Sequence, residues 1–204
     1  MKDSIKILTM KKVLILLANG FEEYMSFSII GILGHCKLYS DIEEKIDFDT
    51  VSLSKVVKSI WDMHINTDRI IDEINIDDYD ALIIPGGFEE AGYYDELFSE
   101  KCQNLIKGFN NKNKYLISIC VGSIPIAKTG ILKGRNATTY GSQKRQGKLK
   151  EYGVVLQNDK VVIDKKVISS NGPATSVEVA FKTIELLTSK SNCDKIRGLM
   201  GFDI

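Results

Sequence analysis

Three short stretches of this chain are almost wholly apolar, and each stops abruptly at residues that break regular structure. Residues 13–18 read Val-Leu-Ile-Leu-Leu-Ala and meet Asn19-Gly20. Residues 80–84 read Asp-Ala-Leu-Ile-Ile and meet Pro85-Gly86-Gly87. Residues 115–119 read Tyr-Leu-Ile-Ser-Ile and run straight into Cys120. A strand with one face in water alternates apolar and polar side chains, whereas a strand that is apolar throughout needs cover on both faces. Helical patterns lie between and after these strands. Glu22-Glu23 open one with acid in the first turn, where the helix dipole favours it, and it runs through Phe27, Ile29, Ile30 and Leu33. Others cover 97–109, 124–132 and 176–187, the last with Val177, Ala180, Phe181, Ile184 and Leu187 on one side. Shorter strand signals occur at 48–53, at 56–60 hairpinned to 63–65, and at 154–156, 161–163 and 167–169; no element is assigned over 34–45. Buried strands alternating with helices specify an α/β fold with a mostly parallel sheet covered on both faces.

At 204 residues, with 44% apolar and 26% charged residues, the chain has the material for one folded domain. We expect that domain over 10–204, with 1–9 as an N-terminal extension, because Met10 directly precedes Lys11-Lys12 and the first strand. Lys+Arg and Asp+Glu both total 27. That balance argues against nucleic acid or an acidic membrane as partner, since neutralising phosphates takes a basic excess. The basic run of Lys144, Arg145, Lys148 and Lys150 reads as a solvated helix face. Cysteines stand at 36, 102, 120 and 193 without a CxxC pair or histidines at zinc spacing, so no structural metal is expected. With no secretory leader pattern and no membrane-length apolar run, the expected location is the reducing cytoplasm, with free thiols.

In open parallel sheets ligands gather outside the carboxyl ends of the strands. Three such ends here carry unusual residues: Asn19-Gly20-Phe21-Glu22-Glu23, Pro85-Gly86-Gly87 and Cys120-Val121-Gly122-Ser123. A thiol between a buried strand and a helix start faces unpaired backbone N–H groups, which lower its pKa below the free value of about 8.5. Gly122 permits a tight turn. Backbone N–H groups at Gly87 and just after Cys120, at Val121, form a candidate oxyanion site together with Gly86. The competing reading is a buried, inert cysteine. Cys36, Cys102 and Cys193 read as packing residues.

These residues, with Ile119-Cys120-Val121-Gly122, Ala127-Lys128-Thr129-Gly130-Ile131-Leu132-Lys133-Gly134-Arg135 and Ser170-Asn171-Gly172-Pro173-Ala174-Thr175-Ser176, resemble the ThiJ/PfpI (DJ-one) family from about Lys11 to Leu187. The resemblance implies a flavodoxin-like three-layer sandwich related to the glutamine amidotransferases. It also implies a homodimer and Cys120 as the nucleophile-elbow cysteine, with Pro173 at the pocket; no cofactor is expected. The family usually places a carboxylate on the first helix against the cysteine, and here that position falls on Met25. A thioether accepts no strong hydrogen bond. Glu22 and Glu23 are the candidate substitutes. Many members carry a histidine after a Thr-Thr pair, whereas Thr138-Thr139 here precede Tyr140, a phenol of ordinary pKa about 10 that donates a hydrogen bond better than it takes a proton. The two histidines, His35 and His64, both precede Cys120, so the downstream His–Glu pair of the amidotransferases is absent. His64 reads as a packing or surface residue on a strand, and His35 as a residue of a lid or a dimer contact.

Three functions fit. Cys120 attacks a small electrophilic carbon, as in the glyoxalase, deglycase, amide-hydrolysing or isonitrile-hydrating chemistry that the resemblance implies. Alternatively, Cys120 is an oxidisable thiol in a redox-responsive or binding protein. In the third, Met25 and Tyr140 mark a scaffold that has lost catalysis.

Overall fold

The structure, a computed structural model, describes residues 10–39, 42 and 44–202. The expected extension at 1–9 lies outside the described residues. Seven strands form the main sheet in the order β10-β11-β7-β6-β1-β2-β5. They are β1 (Lys11–Leu16), β2 (Ile46–Ser52), β5 (Arg69–Ile70), β6 (Ala81–Ile84), β7 (Tyr115–Ile119), β10 (Val161–Asp164) and β11 (Val167–Ser170). All neighbours are parallel except β10 and β11. Two small ladders flank the sheet: the antiparallel hairpin β3 (Val56–Lys58) and β4 (His64–Asn66), and the parallel pair β8 (Asn136–Ala137) and β9 (Val155–Leu156). The helices are α1 (Glu23–Leu38), α2 (Tyr93–Leu97), α3 (Glu100–Asn111), α4 (Ser123–Lys128), α5 (Gln143–Glu151), α6 (Ser176–Leu187) and α7 (Lys190–Leu199).

The apolar runs become the middle of the sheet. Every residue of β6, and residues 13–16 of β1, are buried. One cover is made by α1, which packs on β2 and α6, with α7 behind α6; the other is built on α3, which packs on β6, β7 and α4. This is the expected three-layer α/β arrangement. α1 buries Met25, Ile29, Ile32, Leu33 and Cys36, one stripe at helical spacing, and burying such a side chain stabilises the fold by about 1.5–3 kcal/mol. None of the helices among the described residues is long and apolar enough to cross a membrane.

Several element ends differ from expectation, each for a local reason. α1 continues to Leu38 through the segment left unassigned, because Cys36 extends its buried stripe although Gly34 and His35 interrupt the apolar signal. The expected helix over 124–132 ends at Lys128; Gly130 follows in the left-handed region at φ 87°, and Leu132 is buried from a turn rather than from a helix. The expected helix over 97–109 is two helices. Ser99 Oγ accepts from the Cys102 N–H at 3.4 Å and starts α3, leaving α2 as a separate short turn. α7, which carries only two buried apolar residues, Cys193 and Ile196, had no readable period.

Close backbone approach locks β6 to the segment after β7. A Cβ at Gly122 would run into the carbonyl oxygen of Ile84, a backbone atom that cannot swing aside. We therefore expect Gly122→Ala to lower stability by about 1–3 kcal/mol. Gly147→Ala, at a helical position with open space around it, should raise it by about 0.5–1 kcal/mol. Urea denaturation midpoints at constant m-value check both. Equal midpoints for the two variants would contradict the packing described.

Candidate active site

The three unusual strand ends do meet, and the hairpin joins them. The Glu22 N–H donates to Gly86 O at 3.0 Å and the Phe88 N–H to Gly20 O at 2.9 Å, so the segment after β1 pairs with the segment after β6. On its other side the Gly20 N–H donates to Lys58 O at 2.8 Å and the Ile60 N–H to Phe21 O at 2.9 Å. Gly20, at φ 77°, makes the turn that allows this. The rim is thus a small ladder of its own, with Phe21 at its centre.

Cys120 lies at the end of β7, between β6 and β11, and its backbone is in the left-handed region at φ 57°. A residue with a side chain is held there at a cost of about 1–3 kcal/mol. Its carbonyl accepts hydrogen bonds from Thr139 Oγ1 at 3.0 Å and Ser123 Oγ at 3.3 Å. The side chain turns toward the Gly-Gly turn: a Cβ built on Gly86 would stand 2.9 Å from Cys120 Cβ and 2.7 Å from Met25 Cε. Met25 therefore occupies the α1 side of the cysteine, at the position where the family resemblance leads one to expect a carboxylate.

The electrostatics reverse the sequence expectation of a lowered thiol pKa. Cys120 is 7% exposed, and loss of solvent pushes its thiol up to about 11. The Val121 N–H, directed at the sulfur, works the other way; the Glu22 carboxylate raises the pKa further and the Arg145 guanidinium lowers it. The helix that should have supplied a dipole is weak at this point. A 3₁₀ turn at Cys120–Gly122 intervenes, and α4 has six residues.

Of the two candidate acids, Glu22 is the one whose charge reaches the sulfur. Its Oε2 also caps α1 by accepting from the Met25 N–H at 2.8 Å. Glu23 is turned to the hairpin instead: its Oε1 accepts from Ser59 Oγ and, at 3.1 Å, from the Trp61 N–H, while its buried Oε2 has no partner. Tyr140 is 48% exposed, with its ring edge beside Gly172, and makes no hydrogen bond to Cys120. Pro173 begins the turn after β11, the strand paired with β7, and so stands on the same rim. His35 Nδ1 is bonded to Gly31 O at 2.7 Å near the far end of α1, about 18 Å along the axis from its start, which takes it away from the thiol. His64 is on the exposed hairpin.

Two residues were not identified from the sequence. Tyr94 is 8% exposed, and its hydroxyl has no hydrogen-bond partner. Arg145 lies over its ring with the guanidinium carbon 5.4 Å from the centroid and holds Glu89 at 2.8 Å. Arg145 belongs to the basic run expected to form a solvated helix face, but its side chain is 16% exposed. Nothing local in the sequence distinguishes it from its neighbours, because its partners lie some fifty positions earlier. A cavity of about 480 Å³ opens between Asn19, Lys58, Asp62, Asp95 and Glu96, and one of about 140 Å³ lies against Tyr94, Ile124 and Arg145. Cys120 lines neither, although Ile124 is one turn after it on the same segment.

Comparison with known proteins agrees with this architecture. Residues 11–186 match the DJ-1/PfpI family. An uncharacterized protein of Methanocaldococcus jannaschii is 36% identical over 109 residues, which is 53% of this chain and 52% of that protein, so the chain spans about half of that relative. A Schizosaccharomyces pombe protein named glutathione-independent glyoxalase DJ-1 is 30% identical over 195 residues, covering 92% of this chain and 96% of that one. Among solved structures, Drosophila melanogaster DJ-1beta superposes with a TM-score of 0.83 at 25% identity, over 96% of this chain and 100% of that one. With its matched span, its sheet order and its cysteine at the strand-to-helix elbow, the chain belongs to the DJ-1/PfpI family.

Proposed function

We propose that the chain is an enzyme in which Cys120 attacks the carbonyl carbon of a small reactive electrophile, in a site without the usual carboxylate and histidine. The observation that carries this reading is the left-handed backbone of Cys120 beside Gly86. Strain at a residue with a side chain persists where the surrounding structure enforces it, and such positions cluster at functional sites. A relative named as a glyoxalase over nearly its whole length supports a reactive carbonyl as substrate.

In the proposed step the sulfur forms a bond to the carbonyl carbon, the carbonyl π electrons move to oxygen, and the thiol proton leaves. Because the thiol is held near 11, it is protonated at neutral pH and needs an acceptor. We assign that role to Glu22, the carboxylate that acts on the sulfur. The N–H groups of Gly87 and Val121 are the assigned donors to the developing oxyanion, with Gly86 giving it room. Tyr140, on the solvent side, is assigned to return a proton to the adduct.

The proposal includes a homodimer. Tyr24, Trp61 (69% exposed) and Met63 lie where the start of α1 meets the hairpin, and large apolar surface of this kind marks interfaces. We expect Trp61→Asp to shift sedimentation from dimer toward monomer, and a monomeric wild type would contradict this part.

Methylglyoxal consumption tests the reaction. We expect Cys120→Ser to abolish it, and equal rates in the variant and the wild type would overturn the reading. The pH dependence of Cys120 alkylation by iodoacetamide should show an inflection near 11. Removing the Glu22 charge lowers that inflection, so Glu22→Gln speeds alkylation at pH 8. If Glu22 is the proton acceptor, the same variant slows methylglyoxal consumption by about 10²- to 10⁴-fold. Both rates rising together would reject Glu22 in that role.

A further inference from the structure

The cavity beside Arg145 has an unbalanced lining. Its walls are Glu89, Tyr94, Phe98, Ile124, Lys144, Arg145 and Lys148, three cations to one carboxylate. Glu89 is shared: its Oε2 accepts from Lys144 Nζ at 2.6 Å and from Arg145 at 2.8 Å. Lys148 is paired at 3.0 Å with Glu151, outside the cavity. One of the five guanidinium N–H donors of Arg145 is used by Glu89, and the rest have no acceptor among the described residues.

Tyr94 gives the second, independent observation. Its ring stacks on Phe98, with centroids 4.9 Å apart, and carries the guanidinium on its face, so ring and cation hold each other in place. Its hydroxyl is buried without a hydrogen-bond partner among the described residues, an unfavourable state that an acceptor would relieve. Arg145 and Tyr94 both line the cavity, and a guanidinium with donors to spare together with an unsatisfied hydroxyl is complementary to a single small anion. Ile124, which also lines the cavity, follows Cys120 by one turn on the same segment, and the charge of Arg145 reaches the Cys120 sulfur, although Cys120 itself does not line the cavity.

We propose that Arg145, with the Tyr94 hydroxyl and Lys144, forms an anion-recognising subsite beside Cys120, so that the preferred electrophile carries a carboxylate. This rests on Cys120 acting as the nucleophile. Glu89 then holds the guanidinium in place while the pocket is empty, and the incoming carboxylate takes the remaining donors.

Iodoacetate and iodoacetamide test this without knowledge of the natural substrate. Both transfer a two-carbon group as the sulfur displaces iodide and the thiol proton passes to solvent, and they differ in a carboxylate against a neutral amide. The rates are measured at Cys120 by peptide mass spectrometry, in the folded and the urea-unfolded chain. A change in thiol pKa affects both reagents alike and cancels in their ratio. We expect the iodoacetate-to-iodoacetamide ratio to be roughly tenfold higher in the folded chain than in the unfolded one. Arg145→Gln should abolish that gain, and Arg145→Lys should keep part of it. Lys144→Gln, at an exposed position that leaves folding intact, should reduce it about two- to threefold. A folded ratio no higher than the unfolded one, or one unmoved by Arg145→Gln, overturns the subsite while leaving the nucleophile. Failure of Cys120 to react with either reagent when folded overturns the nucleophile itself, and the subsite with it.

Discussion

The left-handed backbone of Cys120 is the constraint from which the rest of the rim follows. A residue with a side chain does not rest at φ 57° unless it is held there. β7 is held by β6 on one side and β11 on the other, and two hydroxyls, from Thr139 and Ser123, clamp the cysteine's own carbonyl. With the backbone fixed, the Cys120 Cβ stands against Gly86 of the Gly-Gly turn. Gly86 must then be a glycine, because Met25 and Cys120 already fill the space its side chain would take.

Much of this was legible in the sequence, and the missing parts share a cause. The buried strands were visible because a parallel sheet covered on both faces leaves an unbroken apolar signature, and the breakers after them marked the rim. The position of Met25 could be counted from Gly20. What could not be read was the balance of charge around the sulfur. The expectation of an activated thiolate rested on a helix start, and the structure has a 3₁₀ turn and a six-residue helix there, with solvent largely excluded. Arg145 and Tyr94 escaped notice for a related reason. Their pairing joins α2 to α5, and neither segment carries a periodicity that foretells which of its polar residues turns inward.

The Met25 position bears on how the sulfur is governed. A carboxylate beside a thiol can share its proton, whereas a thioether can only exclude water and fill volume. Burial therefore dominates the thiol, the Val121 N–H opposes it, and the charges of Glu22 and Arg145 add smaller effects in opposite directions. Glu22 has a second duty as the cap of α1, which ties the helix start to the electrostatics of the site.

Phe21 is bridged to the segment after β6 on one edge and to the β3–β4 hairpin on the other. The residue after it is Glu22. The Ile60 N–H donates to Phe21 O and the Trp61 N–H to Glu23 Oε1, so the turn of the hairpin splints the residues on both sides of Glu22.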